Sequence, residues 1–286
     1  MWQNFIGKNF KIIGLRPSKG GDLITSLPVL NLLEKKYPNS YKTVSVAKKN
    51  SVFAQLLFNH PLIDRIHINE ILENPNQIDL DFFNSHDVII RPDLQHPDPY
   101  WYNKHHMVEE NFIMMGLDWN GLDEESRRPK LTKWFTHDKF PKHIALWPMA
   151  GSGLDTKRSP SKEWYLKLIE LILSNTDYNI FQFGHPNDFR LDCDERVINL
   201  NNLDFFEQIK MTLGCSFMIG TDAGSSLVMG AYNFPQITLL TDWMENHISN
   251  FNALAPLNKN NISIFKKGGC DNISQNEVLK IIGQLI

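Results

Sequence analysis

The stretch CSFMIGTDAGSSLVMGAYNFPQITLL (215–240) decides the fold. Its first and last parts, 215–221 and 235–240, are short apolar runs of strand length, and the segment 224–232 between them is predicted to be a helix. Apolar strands that alternate with helices are typical of a parallel sheet whose two faces are covered. The stretch therefore predicts an α/β fold.

The same alternation extends along the chain on both sides of this stretch. Residues 123–142 have neither a helix nor a strand period, so they are predicted to link two Rossmann-like domains, 1–135 and 136–286. Two such domains that face each other enclose a central cleft, where small ligands usually bind. The last helix could pack back on the first domain. The further strands are predicted at 10–15, 43–47, 63–68, 86–91, 143–147, 178–184 and 196–200, and the further helices at 22–37, 51–58, 104–116, 161–173, 203–213 and 274–286.

Composition excludes several classes of protein. With 42% hydrophobic residues in 286 the chain can bury real cores, and a net charge of −3 gives no footprint for nucleic acid. The three cysteines are far apart and form no CxxC, so neither a disulfide framework nor a zinc site is expected. No run approaches the roughly 18 apolar residues of a membrane span. We expect a cytoplasmic protein with at most peripheral membrane contact.

The loop RPSKGGD (16–22) follows the first strand, at the sheet edge where ligands bind in open α/β folds. Gly20 and Gly21 allow close backbone approach, and Asp22 places a carboxylate at the start of a helix. Asp22 is either a helix cap or a functional group. The loop matches neither the Walker A motif nor GxGxxG, so P-loop hydrolases and NAD-dependent dehydrogenases lose their main support.

Two loops in the second half of the sequence have residues that are suited to binding a phosphate group. In PMAGSGLDTKRSP (148–160), small residues expose backbone amides while Lys157 and Arg158 add positive charge, although an exposed loop with solvated charges is an equal alternative. In GTDAGSS (220–226), the helix start offers free N–H groups to an anion. Asp222 is there either a cap or a contact for sugar hydroxyls.

Two further motifs are less specific. In GHPND (184–188), Gly184 and Pro186 shape a turn and Asp188 can accept hydrogen bonds from hydroxyls. In HHMVEE (105–110), His106 and Glu110 lie one helical turn apart, but no third ligand is evident, which favours an exposed polar helix face over a metal site. GxSxG and HExxH are absent, so serine hydrolases and zincins have no support.

The order and spacing of these motifs resemble glycosyltransferase family 9, the ADP-heptose:lipopolysaccharide heptosyltransferases. The resemblance implies a GT-B fold and an inverting, metal-independent transfer of heptose or another sugar. The donor would be a nucleotide-diphosphate sugar, the acceptor lipopolysaccharide or another glycan, and no cofactor would be needed. The segments that carry it are RPSKGGDLITSLPVLNLLEKKYPN (16–39), HPLIDRIHI (60–68), HDVIIRPDLQ (86–95), TKRSPSKEW (156–164) and IGTDAGSSLVMGAYNFPQITLL (219–240).

The resemblance also implies residue roles. Asp22 would be the catalytic base, and Lys157 would stabilise the charge of the leaving diphosphate. The acceptor side would comprise Arg16, Lys19, Gly20 and Gly21. The donor site would comprise Ser152, Gly153, Lys157, Arg158, Gly184, Asp188, Asp222, Ala223, Gly224 and Ser225.

Two positions depart from the family pattern. Leu227 stands where the family has His, and Ser159 stands where it has Trp. These departures leave the identity of the donor open. They also leave room for a catalytically silent relative that binds nucleotide sugars. A GT-B-fold sugar-nucleotide epimerase is a further alternative because it shares the fold, but the several acid/base residues that it needs are not evident in the sequence.

Overall fold

A computed structural model describes residues 11–15, 20–69, 84–90, 105–114, 117–150, 158–242 and 255–285. The chain divides into two compact units, Met1–Trp134 and Phe135–Ile286. The division falls within residues 122–142, which form neither helix nor strand. In its described residues, each unit contains one sheet in which all strand pairs are parallel.

The sheet of the first unit has the strand order β3-β2-β1-β4. Its longest helix, α1, buries leucines at spacings of three and four (Leu23, Leu27, Leu30 and Leu33), as the sequence pattern predicts. The elements are β1 (Ile12–Leu15), α1 (Gly20–Lys36), β2 (Tyr41–Ala47), α2 (Ser51–Leu56), β3 (Arg65–Asn69), β4 (Val88–Ile90) and α3 (Met107–Met114).

The sheet of the second unit has the order β10-β9-β8-β5-β6-β7. Its central strands β5 and β8 are buried along almost their whole length, which explains their continuous apolar sequences. The elements are β5 (His143–Trp147), α4 (Lys162–Asn175), β6 (Asn179–Gln182), β7 (Val197–Asn199), α5 (Phe205–Gly214), β8 (Phe217–Thr221), α6 (Gly224–Ala231), β9 (Gln236–Thr241), β10 (Asn261–Lys266) and α7 (Gln275–Leu285).

The terminal helix α7 packs against α4 within the second unit. Its buried side chains, Val278 and Ile282, belong to the same apolar core as Trp164 of α4. The indole N–H of Trp164 donates to the carbonyl of Ile273, just before α7, at 2.7 Å. The apolar face of α7 therefore contributes to the core of the second unit, and packing of this helix on the first domain stays a prediction.

The sequence prediction missed strand β10. Asn261–Lys266 pairs with β9 over its whole length, from Asn261 beside Gln236 to Lys266 beside Thr241. The strand has only two isoleucines and one phenylalanine among polar residues, and it lies at the end of the described sheet. Such a half-buried edge strand has a much weaker apolar signal than the central strands.

A membrane-spanning helix needs about 20 predominantly apolar residues. Among the residues that the structure describes, no helix is long and apolar enough to cross a bilayer.

Candidate functional site

The strand order locates the edge of the second sheet at which a ligand is expected. In sequence order, β6 and β7 are added to one side of β5, and β8, β9 and β10 are then added to its other side. In open α/β sheets, ligands bind at the carboxyl ends of the strands where the order reverses. Here these strands are β5 and β8, and the loops that follow them begin at Pro148 and Asp222.

Arg158 and Asp222 meet at this edge, one from each of the two loops. Nη2 of Arg158 lies 2.9 Å from Oδ2 of Asp222 and also donates to the backbone carbonyl of Asp222. Asp222 is only 7% exposed, so this charge-assisted bond is partly desolvated and correspondingly strong. Two residues of the predicted donor site are therefore brought together, and they bind each other.

The N-terminus of α6 lies beside this pair and has no side-chain cap. The helix begins at Gly224, and its N-cap residue is Ala223, which has no side-chain acceptor. Asp222 is therefore not the N-cap residue, which removes the capping interpretation. The hydroxyl of Ser226 donates to the carbonyl of Thr221 at 2.6 Å, and Ser225 is buried. A helix start without a side-chain cap is suited to an anion.

Ser159 holds together the two flanks of segment 151–157. Its hydroxyl accepts a hydrogen bond from the backbone nitrogen of Ala150 at 2.8 Å, and the residue is buried. Two residues further on, the backbone nitrogen of Ser161 donates to Oδ1 of Asp271 at 2.6 Å. The sequence showed Ser159 only as a departure from a family pattern. The structure gives it a local role that requires a hydroxyl.

Gly184, Asp188 and Asn201 form a second cluster after β6 and β7. Gly184 has a φ of 153°, and a Cβ there would overlap Oδ2 of Asp188 and lie 3.6 Å from Oδ1 of Asn201. Oδ2 of Asp188 accepts from the backbone nitrogen of His185 at 2.8 Å. The amide of Gln208 bonds both the N–H and the carbonyl of Gly184, each at 2.9 Å. The glycine is therefore required for this close packing.

Three polar atoms of this cluster have no hydrogen-bond partner among the described residues. They are Oδ1 of Asp188 and both amide atoms of Asn201, and all are buried. A buried polar atom without a partner costs about 1–3 kcal/mol, so an ordered water or a polar ligand is expected to supply one. Asn201 has no local signal in the sequence, because nothing in the run NLNN (199–202) distinguishes it from its neighbours.

Replacing Asp188 by Asn is expected to stabilise the protein at neutral pH. Burial raises the pKa of the Asp188 carboxyl above its ordinary value of 3.8. The folded state therefore disfavours the charge, and this penalty grows as pH rises from the unfolded-state pKa through the raised folded-state pKa. Asn keeps an acceptor for the His185 N–H without the charge. Denaturant unfolding should show a stability gain that increases as pH rises above about 4 and levels off above the raised pKa of Asp188; a gain independent of pH would contradict this explanation.

Asp22 lies inside the first turn of α1, as its third residue, and is 5% exposed. It is therefore not the N-cap residue, although a carboxylate in the first turn is favoured by the helix dipole. A Cβ on Gly20 would overlap the ring of Phe53 in α2. Gly20 thus has a packing role, while acceptor-side roles for Gly20 and Gly21 stay predictions.

Several predicted site residues lie outside the described residues, so the structure says nothing about their positions. Their roles at the donor and acceptor sites stay predictions. They are Arg16, Lys19, Ser152, Gly153 and Lys157.

The HHMVEE motif surrounds the start of α3. Nδ1 of His106 accepts from the backbone nitrogen of Val108 at 3.1 Å, and His105 lies 3.4 Å from the carboxylate of Glu109. Glu110 is fully buried, which corrects the expectation that it lies on an exposed face. In the described parts of the chain, no three His, Cys, Asp or Glu side chains are grouped to hold a metal ion.

Comparisons by sequence find no relative. No model of a known protein family matches the chain, and no curated protein matches it either.

Solved structures do resemble the chain over nearly its whole length. ADP-heptose lipopolysaccharide heptosyltransferase II from E. coli gives a TM-score of 0.71 at 16% identity and covers 96% of this chain and 98% of that one. A glycosyl transferase family 9 structure from Veillonella parvula gives 0.70 at 15%, covering 99% of both. The E. coli heptosyltransferase WaaC with ADP gives 0.63 at 15%, covering 96% and 100%. The α/β GT-B fold and the resemblance to family 9 are therefore confirmed at the level of the fold.

Proposed function

We propose that this protein is a glycosyltransferase that moves a sugar from a nucleotide-diphosphate donor to a hydroxyl of lipopolysaccharide or another glycan. The observation that carries the proposal is the pairing of Arg158 with Asp222 beside the N-terminus of α6, at the β5/β8 edge. A cationic side chain and free backbone N–H groups match a diphosphate, and a carboxylate matches sugar hydroxyls. The fold shared with heptosyltransferases supports this reading.

In the proposed complex, the diphosphate lies on the backbone N–H groups of Gly224 and Ser225, together with Lys157 and Arg158. The diphosphate then competes with Asp222 for the guanidinium of Arg158. Asp222 becomes available to accept hydrogen bonds from the donor sugar. The Gly184–Asp188–Asn201 cluster supplies further acceptors for donor hydroxyls, which would provide partners for its buried polar atoms.

The proposed reaction is a direct displacement. The acceptor oxygen forms a bond to the anomeric carbon while the bond from that carbon to the diphosphate breaks. The acceptor's proton passes to the carboxylate of Asp22, and the nucleoside diphosphate leaves with the electron pair of the broken bond. Lys157, Arg158 and the start of α6 stabilise the charge that develops on the leaving group. A single displacement inverts the anomeric configuration, and these cationic groups can take the role that a metal ion has in other transferases.

The release of nucleoside diphosphate tests this proposal. A panel of nucleotide sugars is incubated with the full chain, with and without glycan acceptors, and the products are separated. A transferase releases nucleoside diphosphate only when an acceptor is present and forms a glycoside of inverted configuration. If a donor binds but no nucleoside diphosphate is released with any acceptor, the result would instead indicate the silent relative. Conversion of the donor sugar without an acceptor would indicate the epimerase.

Leu227 is expected to weaken binding of the family's donor. It lies in the first turn of α6, where its N–H bonds the carbonyl of Ala223 at 3.3 Å, and its side chain is half-buried. Leu cannot donate a hydrogen bond to phosphate or sugar, and such a bond to a charged group contributes about 1.5–3 kcal/mol. Leu227→His should therefore tighten ADP or ADP-heptose binding roughly tenfold or more in calorimetry. Tight binding of ADP-heptose by the unmodified protein, unchanged in the variant, would contradict this prediction.

A further inference from the structure

A buried hydrogen-bond chain connects α3 with the first turn of α1. Nδ2 of Asn111 on α3 donates to Oγ1 of Thr25 at 3.2 Å. Oγ1 of Thr25 in turn lies 3.2 Å from the carbonyl oxygen of Asp22 and 3.3 Å from that of Gly21. Asn111 and Thr25 are both fully buried. The chain thus ends on the two carbonyls of the turn that carries Asp22.

The donor and acceptor chemistry gives this chain a direction. An amide nitrogen can only donate, so the hydroxyl of Thr25 accepts from Asn111 and its single proton is left for a backbone carbonyl. In a buried setting each bond of such a chain polarises the next and strengthens it. The amide of Asn111 therefore stabilises one position of the Gly21–Asp22 peptide, and with it the direction in which the Asp22 side chain leaves the backbone.

The hydrogen bond that Asn111 donates is offset by an unpartnered atom of the same amide group. Its Oδ1 is buried and has no hydrogen-bond partner among the described residues, an arrangement that costs about 1–3 kcal/mol. An apolar side chain of similar size would avoid this cost in the interface between α1 and α3. The bond that Asn111 gives to Thr25 is the contact that such a side chain would lose.

Ser26, the next residue along α1, offers a direct comparison. Its hydroxyl donates to the carbonyl of Leu23 at 2.8 Å and is also fully buried. It is therefore the same kind of intrahelical bond as that of Thr25. Within the described residues, however, only the hydroxyl of Thr25 receives a bond from α3.

We infer that Asn111 and Thr25 are positioning residues for Asp22. The inference rests on the proposed function, in which Asp22 takes the proton of the acceptor hydroxyl. A general base must lie within about 2.6–3.2 Å of the group that it deprotonates, and a displacement of about 1 Å can cost up to 10²-fold in rate. Loss of the Thr25 hydroxyl should therefore lower kcat and leave the KM for the donor, which binds to the second unit, unchanged.

The test compares kcat and donor KM among variants of the full chain. Thr25→Val keeps the shape of the side chain without the hydroxyl, and Thr25→Ser keeps the hydroxyl. We expect Thr25→Val and Asn111→Leu to lower kcat about tenfold without changing donor KM, within the range for a displaced base. Thr25→Ser should retain most of the wild-type kcat, and Ser26→Ala, the matched control, should retain all of it. Denaturant unfolding of each variant establishes that the compared proteins are folded.

The outcomes separate this inference from the proposed function. Equal kcat values in Thr25→Val and Ser26→Ala, or a wild-type kcat in Asn111→Leu, would overturn the positioning role. The base role of Asp22 would stand in that case if Asp22→Asn still lowers turnover by about 10²-fold. A parallel change of donor KM and kcat in Thr25→Val would also overturn it, because that result indicates a general structural effect. Near-normal turnover in Asp22→Asn would overturn the role of Asp22 as the base, and this inference with it. The proposed function itself fails only if the unmodified protein releases no nucleoside diphosphate with any acceptor.

Discussion

Asp22→Asn is expected to reduce turnover by about 10²-fold or more, the usual scale for loss of a general base. Asn has nearly the same shape as Asp, so the first turn of α1 should keep its structure and lose only the interaction of the carboxylate with the helix dipole, about 0.3–1 kcal/mol. The amide cannot accept the proton of the acceptor hydroxyl. Donor affinity should change little. The measurement is the rate of nucleoside diphosphate release at saturating donor and acceptor, together with the donor Kd from calorimetry.

Asp64→Asn is the matched control in the same unit. The carboxylate of Asp64 accepts a hydrogen bond from the backbone nitrogen of Lys42 at 2.7 Å, which gives it a local structural role. Its replacement removes one carboxylate of the first unit and should leave turnover at the wild-type level. An Asp22→Asn variant that turns over as fast as this control would return Asp22 to a structural role in the first turn of α1.

Lys157→Ala is expected to weaken binding of nucleoside diphosphates by about 10- to 100-fold. Lys157 immediately precedes Arg158, which lies beside the start of α6. A charge-assisted contact with phosphate is lost in the variant, whereas contacts with the nucleoside are not touched. Calorimetry with a nucleoside diphosphate and with its nucleoside separates the two effects, and the affinity for the nucleoside should stay nearly constant.

Lys162→Ala controls for the loss of a positive charge. Lys162 is exposed at the start of α4 and follows the loop by a few residues. Its replacement should leave both affinities unchanged, because a solvated charge contributes little at a distance in salt. Equal losses for nucleoside diphosphate and nucleoside in Lys157→Ala would show that Lys157 does not contact the diphosphate.

The sequence predicted the elements whose apolar pattern is strong. The leucines of α1 predict a helix, and the continuous apolar runs of β5 and β8 predict strands, because these elements bury the apolar side chains almost completely. Strand β10 was missed because all of its residues except Ile264 are only half-buried. The packing of α7 on α4 was also beyond the sequence, since an amphipathic helix can cover either domain equally well.

The sequence predicted which residues belong to the candidate site, but it did not predict which of their side chains contact each other. Small residues and charges after apolar strands indicated the loops that contain Arg158 and Asp222. That the two side chains bind each other depends on β5 lying next to β8, a contact between residues 64 positions apart. The same holds for Asn111 and Thr25, 86 positions apart. Neither the N-cap position of Ala223, which leaves α6 without a side-chain cap, nor the buried amide of Asn201 has a local sequence signal.

The central claim is that the β5/β8 edge of the second unit binds the diphosphate of a nucleotide sugar. It is tested most directly by a crystal structure of the full chain soaked with the nucleoside diphosphate that calorimetry identifies as the best binder. We predict that the diphosphate lies on the backbone N–H groups of Gly224 and Ser225 with Arg158 turned from Asp222 towards it. A diphosphate bound elsewhere on the chain, with the Arg158–Asp222 pair intact, would contradict the account.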